Sequence, residues 1–419
     1  MPMIGVDEAL ERVLAAAAEL GPLPVEEVPL RDAAGRILRE TVLASRDMPP
    51  FTRSAMDGYA LRADDTVGAP VILDVIEEIP AGKNPARPVG PGQASRIMTG
   101  APLPAGADAV QMVEQTEQLE DDRVRVLRAV PRQEHVRNAG EDLKAGSVLI
   151  KSGAAIVPAL IGLLASEGRS RVRVSRRARV AIIPTGDELV AVDVEPSAGQ
   201  IRESNGHVLE ALVADAGGEP ELFGTARDQV DDLRYRISQA LARHDVLLLS
   251  GGVSMGDYDL VGGVLKDLGC RPVFDRVAIQ PGKPLFFGRW SRPTGGEVMV
   301  FGLPGNPVST VVDFIVFARP ALRRLSGASS WLDPQLTARL AEPVTRRSQN
   351  PPRRAYLPAR LSGQDDALMV TLIPSMGSAD MVALGRANAL AIIAGDVERL
   401  EAGVRVRVLP LGAMTPAGC

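Results

Sequence analysis

The sequence predicts a multidomain α/β and β protein. Its centre is a doubly wound, mostly parallel sheet, joined by a β-rich insertion, a helical N-terminal segment and a small C-terminal β domain. Three observations point there. The chain has 419 residues, about three domains at ~150 residues each. Between 178 and 325, wholly apolar runs alternate with helical stretches, the pattern of parallel strands covered on both faces. Before and after that region, short β-like runs broken by glycine and proline replace helical periodicity. The composition is 45% hydrophobic and 24% charged, enough to build real cores. With 47 basic against 52 acidic residues, a net charge of −5 and 3% aromatics, it lacks the basic field and stacking rings of a dedicated nucleic-acid binder.

Residues 6–19 place Val6, Leu10, Val13, Leu14 and Ala17 on one helical face, and Gly21-Pro22 ends that helix. An extended segment and a short helix around Asp32–Arg36 follow. From Met48 to about Asp142 the texture is β-like, as in Val71–Ile76, and a helix returns at 157–167. In the central region, Arg179–Ile183 and His244–Leu249 read as buried strands, and 206–216, 230–242 and 260–268 as helices. Strands follow near Val273–Ile279, Leu285–Phe287 and Val298–Phe301, then a helix over 308–325. The last segment alternates valine with arginine over Val404–Val408, putting the two residue types on opposite faces of a strand. The expected domains are 1–46 with 142–177 (helical, elongated), 47–141 (β-rich insertion), 178–327 (α/β) and 328–419 (C-terminal β).

Two cysteines, Cys270 and Cys419, cannot form a disulfide scaffold. Cys270 reads as a small core residue and Cys419 as a frayed terminus. The three histidines have no ligand spacing, and His135 and His207 read as surface or loop residues. The N-terminus lacks the basic and apolar regions of a signal peptide, and the apolar stretch Ala154–Ala165 is too short for a bilayer span. A cytoplasmic protein without membrane contact is expected.

Chemistry concentrates in loops that follow predicted strands, where ligands of open parallel sheets bind. They are Pro184–Leu189, Thr225–Asp228, Ser250–Asp259 and Gly302–Ser309. In the third, Gly251 and Gly252 with the following helix start form an anion cradle, and Ser250 and Ser254 add hydroxyls. Asp257 and Asp259 in the same loop would repel an anion, and a divalent cation removes that conflict. Helix capping and a turn are the plainer account of one such loop. Asp187, Glu188 and Asp228 at neighbouring strand ends weigh against it. Lys283, in Gln280-Pro281-Gly282-Lys283-Pro284, is either a phosphate contact or a solvated turn lysine. Asn306, between Gly305 and Pro307, is either a ligand contact or a helix cap, with Ser309 in the first turn. Thr185 and Pro304 complete the candidate binding loops.

Six motifs taken together resemble one family. They are Ser54–Ala60, Met98–Pro104 with Ala107–Val110, Thr185–Leu189, Ser250–Ser254 with Gly256–Asp259, Pro281–Pro284 and Gly302–Ser309. In this order they are similar to the molybdopterin molybdenumtransferases (MoeA, with the gephyrin E domain as eukaryotic relative). The resemblance implies a molybdopterin-binding type of α/β domain and an elongated homodimer with a composite active site. It also implies a reaction that joins molybdate to adenylylated molybdopterin and releases AMP, with Mg²⁺ or alternatively Zn²⁺. Positions matching the family's functional residues are Asp57, Thr99, Arg137, Asp142, Glu188, Asp228, Asp259, Lys283, Arg353 and Ser378. In that reading Glu188, Asp228 and Asp259 hold the metal, with Asp57 and Lys283 also catalytic. Gly251, Gly252 and Lys283 take phosphate charge, and Arg353 and Ser378 hold molybdate. Gln280 stands where many members carry a second lysine, and Ala379-Asp380-Met381 and Ala383 also depart from the family pattern. The alternatives are molybdopterin adenylyltransferase activity, with that enzyme otherwise a partner, and a non-catalytic scaffold of the same fold.

Overall fold

The computed structural model describes residues 1–252, 260–347, 349–364 and 367–412. They form two compact units. One comprises residues 41–152 with 163–169, the other 1–40, 153–162 and 170 onward.

The larger unit is built on a six-stranded sheet. Its strands are Arg179–Pro184 (β1), Glu219–Leu222 (β2), Val246–Ser250 (β3), Arg271–Phe274 (β4), Phe286–Ser291 (β5) and Glu297–Leu303 (β6), in the spatial order β2-β1-β3-β6-β5-β4. The first four in that order run parallel, and β5 and β4 add antiparallel. Side chains alternate across the pleat, so the apolar runs divide between two cores. Val180, Ile182, Val246, Leu248, Met299 and Phe301 face one way. They meet the helices Val6–Leu20 (α1), Asn205–Asp215 (α2), Pro307–Asp313 (α5) and Arg319–Leu325 (α6). Ala181, Ile183, Leu247, Leu249, Val298 and Val300 face the other way, against Val230–Arg243 (α3) and Leu260–Asp267 (α4). Covering both faces is what required near-continuous apolar strands. Cys270 is buried in the second core, where burial pushes its thiol up to about 12.

Two elements differ from the expectation. The run Val273–Ile279 is divided: β4 ends at Phe274, and Ile279–Gln280 joins another sheet. Val277 instead takes its N–H to the Lys283 carbonyl and bridges to Ile4. The long helix over 307–325 contains a π-helical turn at Phe314–Ala318 before α6. Pro320 lies at the start of α6, and because proline has no N–H to donate, the hydrogen-bond pattern must shift there.

In the C-terminal sheet, Arg354–Gln364 pairs with both Ala367–Leu372 and Ala389–Ile393, so the strands close on themselves through Leu336–Leu340 and Arg405–Pro410. Val406 and Val408 point into this barrel, and Arg405 and Arg407 point out. Ile279–Gln280 is added in parallel at Arg354–Ala355.

The smaller unit carries a mostly antiparallel sheet in the order Ala109–Met112, Gly58–Leu61, Gln93–Ile97, Val71–Ile79, Arg123–Val126 and Thr116–Leu119. Tyr59, Leu61, Leu73, Val124 and Val126 form one apolar cluster, and Ala60, Ile79, Ile97 and Val110 another. Among the described residues, no helix is long and apolar enough to cross a membrane.

Candidate active site

Three parallel strands, β1, β3 and β6, end at one cleft of about 500 Å³. Its walls include Thr185, Gly186 and Glu188 after β1, Asp228 after β2, Ser250 at the end of β3 with Gly251 and Gly252 after it, and Pro304, Gly305 and Asn306 after β6. Pro284 and Ala379 also line it. The placement follows from the sheet, since parallel strands deliver all their following loops to one edge.

The β3 loop approaches the β1 loop more closely than a side chain would allow. Gly251 and Gly252 have φ of +96° and +65°. A Cβ on Gly251 would lie 2.5 Å from the Thr185 carbonyl oxygen, and one on Gly252 would lie 2.8 Å from Thr185 Oγ1. Thr185 is buried, and its Oγ1 has no hydrogen-bond partner among the described residues. Asn205 Nδ2, at the start of α2, donates to Ser250 Oγ and to the Gly305 carbonyl, both at 2.8 Å, tying the β3 and β6 loops together. Asn306 is the N-cap of α5 but makes no side-chain cap hydrogen bond, so capping alone does not account for it. Ser309 is buried in the first turn of α5. The Ser378 carbonyl accepts from the Val308 N–H at 3.0 Å, which seats the Ser378 segment against that helix start.

The acidic side of the cleft is electrostatically strained. The Asp228 N–H donates to Asp187 Oδ1 at 3.1 Å. Partial burial, and then the Asp187 and Glu188 carboxylates, raise the Asp228 carboxyl above its ordinary value. Like charges gathered this way ask for a cation, and carboxylate oxygens are the donors a hard divalent ion takes. Asp259 and Ser254 lie outside the described residues, and among those described no group of three His, Cys, Asp or Glu side chains is arranged as a metal site.

Lys283 is exposed on the turn that ends at Pro284, and among the described residues its ammonium has no ion-pair partner. That turn rests on a buried acid. Gly282 has φ +111°, and a Cβ there would lie 2.2 Å from Asp313 Oδ1. Asp313 is fully buried, neither carboxylate oxygen has a partner among the described residues, and burial pushes its carboxyl well above the ordinary range. Arg353 is half-buried nearby in sequence to the barrel strand, with Nε donating to Gln349 Oε1 at 2.5 Å.

The smaller unit holds the other four expected residues, in two pairs. Asp57 Oδ1 accepts from both the N–H and the hydroxyl of Thr99, at 2.6 and 2.7 Å, and these bonds hold its carboxyl below the ordinary value. Arg137 is hydrogen-bonded to Asp142 and lies 3.6 Å from Glu141.

Sequence reasoning passed over Asn205, Arg346 and Asp313. Asn205 had a local signal, an Asn-Gly pair opening a helix one strand away from the glycine loop. Arg346 and Asp313 had none, since their meaning lies in partners distant in sequence.

Comparison with known proteins covers most of the chain. Residues 4–168 match the MoeA N-terminal region (domains I and II), 181–324 a probable molybdopterin-binding domain, and 337–411 the MoeA C-terminal region (domain IV). A molybdopterin molybdenumtransferase of Bacillus subtilis is 34% identical over 416 residues, covering 97% of this chain and 94% of its own length. One of a Nostoc species is 42% identical over 313 residues, 74% of this chain and 71% of its own. The crystal structure of a molybdopterin biosynthesis moeA protein from Pyrococcus horikoshii superposes with a TM-score of 0.81 at 31% identity. It covers 98% of this chain and all of its own.

Proposed function

The chain belongs to the molybdopterin molybdenumtransferase (MoeA) family, and on that premise we propose that it joins molybdate to the dithiolene of adenylylated molybdopterin, breaking the phosphoanhydride and releasing AMP. Its place in molybdenum cofactor biosynthesis as a transferase follows from the family itself. In this reading it works in the cytoplasm as a homodimer, and an adenylyltransferase supplies its substrate.

One observation supports the reaction above the others. One cleft is lined by Glu188, by Asp228, whose carboxyl is raised by burial and by the Asp187 and Glu188 charges, by Gly251 and Gly252, and by Thr185, whose hydroxyl has no partner among the described residues. Asp228 and Glu188, with Asp259, would hold Mg²⁺, or Zn²⁺ in its place. The ion would neutralise anhydride charge when bound. The chain's own groups do the rest. The N–H groups of Gly251 and Gly252 and the Thr185 hydroxyl bind phosphate oxygens, and Lys283 adds a point charge. Donors placed on charge that develops in a transition state are worth ~3 kcal/mol each. Asn205 keeps the Ser250 and Gly305 loops in register, so the cradle is formed before substrate arrives. Pro304 and Asn306 line the cleft, and Ser309 is buried behind them in the first turn of α5. Arg353 and Ser378 bind molybdate, Asp57 is assigned to catalysis, and Thr99, Arg137 and Asp142 to substrate binding. The sulfurs that take molybdenum belong to the substrate, so the reaction asks for no cysteine of the protein.

The test is AMP release from adenylylated molybdopterin, followed chromatographically with Mg²⁺ and with or without molybdate. Molybdate-dependent release by the wild type, lost in Asp228→Asn with folding intact, is the expected result. Net adenylylation of molybdopterin from ATP, or no release at all, would overturn the proposal.

A further inference from the structure

Arg346 and Arg353 are both half-buried, and neither makes an ion pair among the described residues. Arg346 Nη2 donates to Gln280 Oε1 at 2.8 Å and to the Arg353 carbonyl at 3.0 Å, while Nη1 donates to the Ala394 carbonyl at 2.9 Å. Arg353 Nε donates to Gln349 Oε1. Every acceptor is neutral. Burial and the charge of Arg353 lower the affinity of Arg346 for its proton, so the two cations stand close enough to repel each other. Each guanidinium has five N–H groups, and three on Arg346 and one on Arg353 are used here. Two partly desolvated cations held by uncharged partners carry a cost of desolvation and repulsion that a bound anion would offset.

The anchor of this pair is informative. Gln280 opens the turn that carries Lys283 and ends at cleft residue Pro284, and it is joined to the barrel beside Arg354. A glutamine at 280 brings no charge of its own. Its amide oxygen can, however, draw a cation to that point, and Arg346 is the cation it draws.

We propose that Arg346, positioned by Gln280, is an additional oxyanion contact that places a second guanidinium beside Arg353 for a tetrahedral dianion, molybdate in the reaction proposed above. The inference rests on that reading for the identity of the anion. It concerns Arg346, which lies in none of the sequence motifs, and its contact with Gln280.

The experiment is calorimetric titration of the whole protein with sodium molybdate at fixed ionic strength. Arg346→Ala is expected to weaken binding by about tenfold or more, the size of a lost charged hydrogen-bond contact. Gln280→Leu leaves the charge but removes one of its three acceptors, and is expected to weaken binding by about threefold. The decisive variant is the double Arg346→Ala/Gln280→Lys. A lysine at 280 restores a cation at the same point and is expected to recover most of the lost affinity, which would not follow if the loss in Arg346→Ala came from a disrupted fold. Arg346→Gln repeats the test should the alanine variant fail to fold. Unchanged affinity in both Arg346 variants, or no recovery in the double variant, overturns the proposal. Because molybdate binding is read apart from AMP release, a normal binding series with no AMP release would count against the proposed reaction and leave this inference standing.

Discussion

Asp313 offers the sharpest test of the physical picture. Its carboxyl is fully buried beneath the Gly282 turn with no hydrogen-bond partner among the described residues, and burial lifts it well above 3.8. Well below pH 3.8 the group is protonated in folded and unfolded chains alike, and its titration does not affect stability. As pH rises through the window between 3.8 and the folded value, the unfolded chain loses this proton and the folded one keeps it. Stability therefore falls with rising pH, by ~1.4 kcal/mol per pH unit inside the window for one such group. Two pH units are worth ~2.7 kcal/mol. Asp313→Asn keeps the shape and removes the titration. Urea unfolding followed by tryptophan fluorescence reads the right region, because the two tryptophans, Trp290 and Trp331, both lie in the unit that contains Asp313. The stability of Asp313→Asn relative to wild type is expected to climb with pH at that slope. A difference that stays flat from pH 4 to pH 8 would refute the reasoning, and would mean that the carboxyl finds solvent or a cation in the native protein.

Gly282→Ala forces a Cβ to 2.2 Å from Asp313 Oδ1 in a backbone at φ +111°. The expected loss is ~2–4 kcal/mol from overpacking and left-handed strain together, measured by the same unfolding curves. Asp313→Ala in that background should return the steric part only. Asn205→Ala removes two hydrogen bonds that link the β3 and β6 loops. Molybdate-dependent AMP release should drop about tenfold or more, since each such bond contributes ~1 kcal/mol and Ser250 is left buried without its donor. Thr99→Val deletes the hydroxyl bond to Asp57 but keeps the N–H bond. The Asp57 carboxyl should then titrate higher, as followed by NMR, because a contact that favours its charged form is gone. Asp228→Asn should be neutral or slightly stabilising near pH 7, relieving repulsion from Asp187 and Glu188, while AMP release is lost. A marked loss of stability would assign Asp228 a structural role instead.

Much of the larger unit was legible because its information is local. Val246–Ser250 and Arg179–Pro184 are apolar at every position that packs, so their strand character and burial can be read directly. The loops after them had to collect at one edge once the strands were parallel. What stayed hidden depends on distant partners. Nothing in Val273–Ile279 shows that its second half leaves one sheet for another, a change set by Ile4 and Arg354. The π-helical turn before α6 follows from how the helix accommodates Pro320 against a packed core, and periodicity alone continues straight through it. The Arg346–Gln280 contact spans 66 residues, and neither residue type announces the other. Glu188 and Asp228 were identifiable as strand-end acids, but the repulsion that distinguishes Asp228 is a property of distance.

The chain between β4 and β5 leaves the α/β sheet, contributes two residues to the barrel, and returns. Lys283 sits on the return leg. The stitch works like a thread passed through two pieces of cloth: sliding one against the other pulls on the thread. Any swivel of the barrel on the α/β sheet pulls on this turn, which ends at cleft residue Pro284, so the position of the turn and the attitude of the C-terminal domain form a single mechanical coordinate.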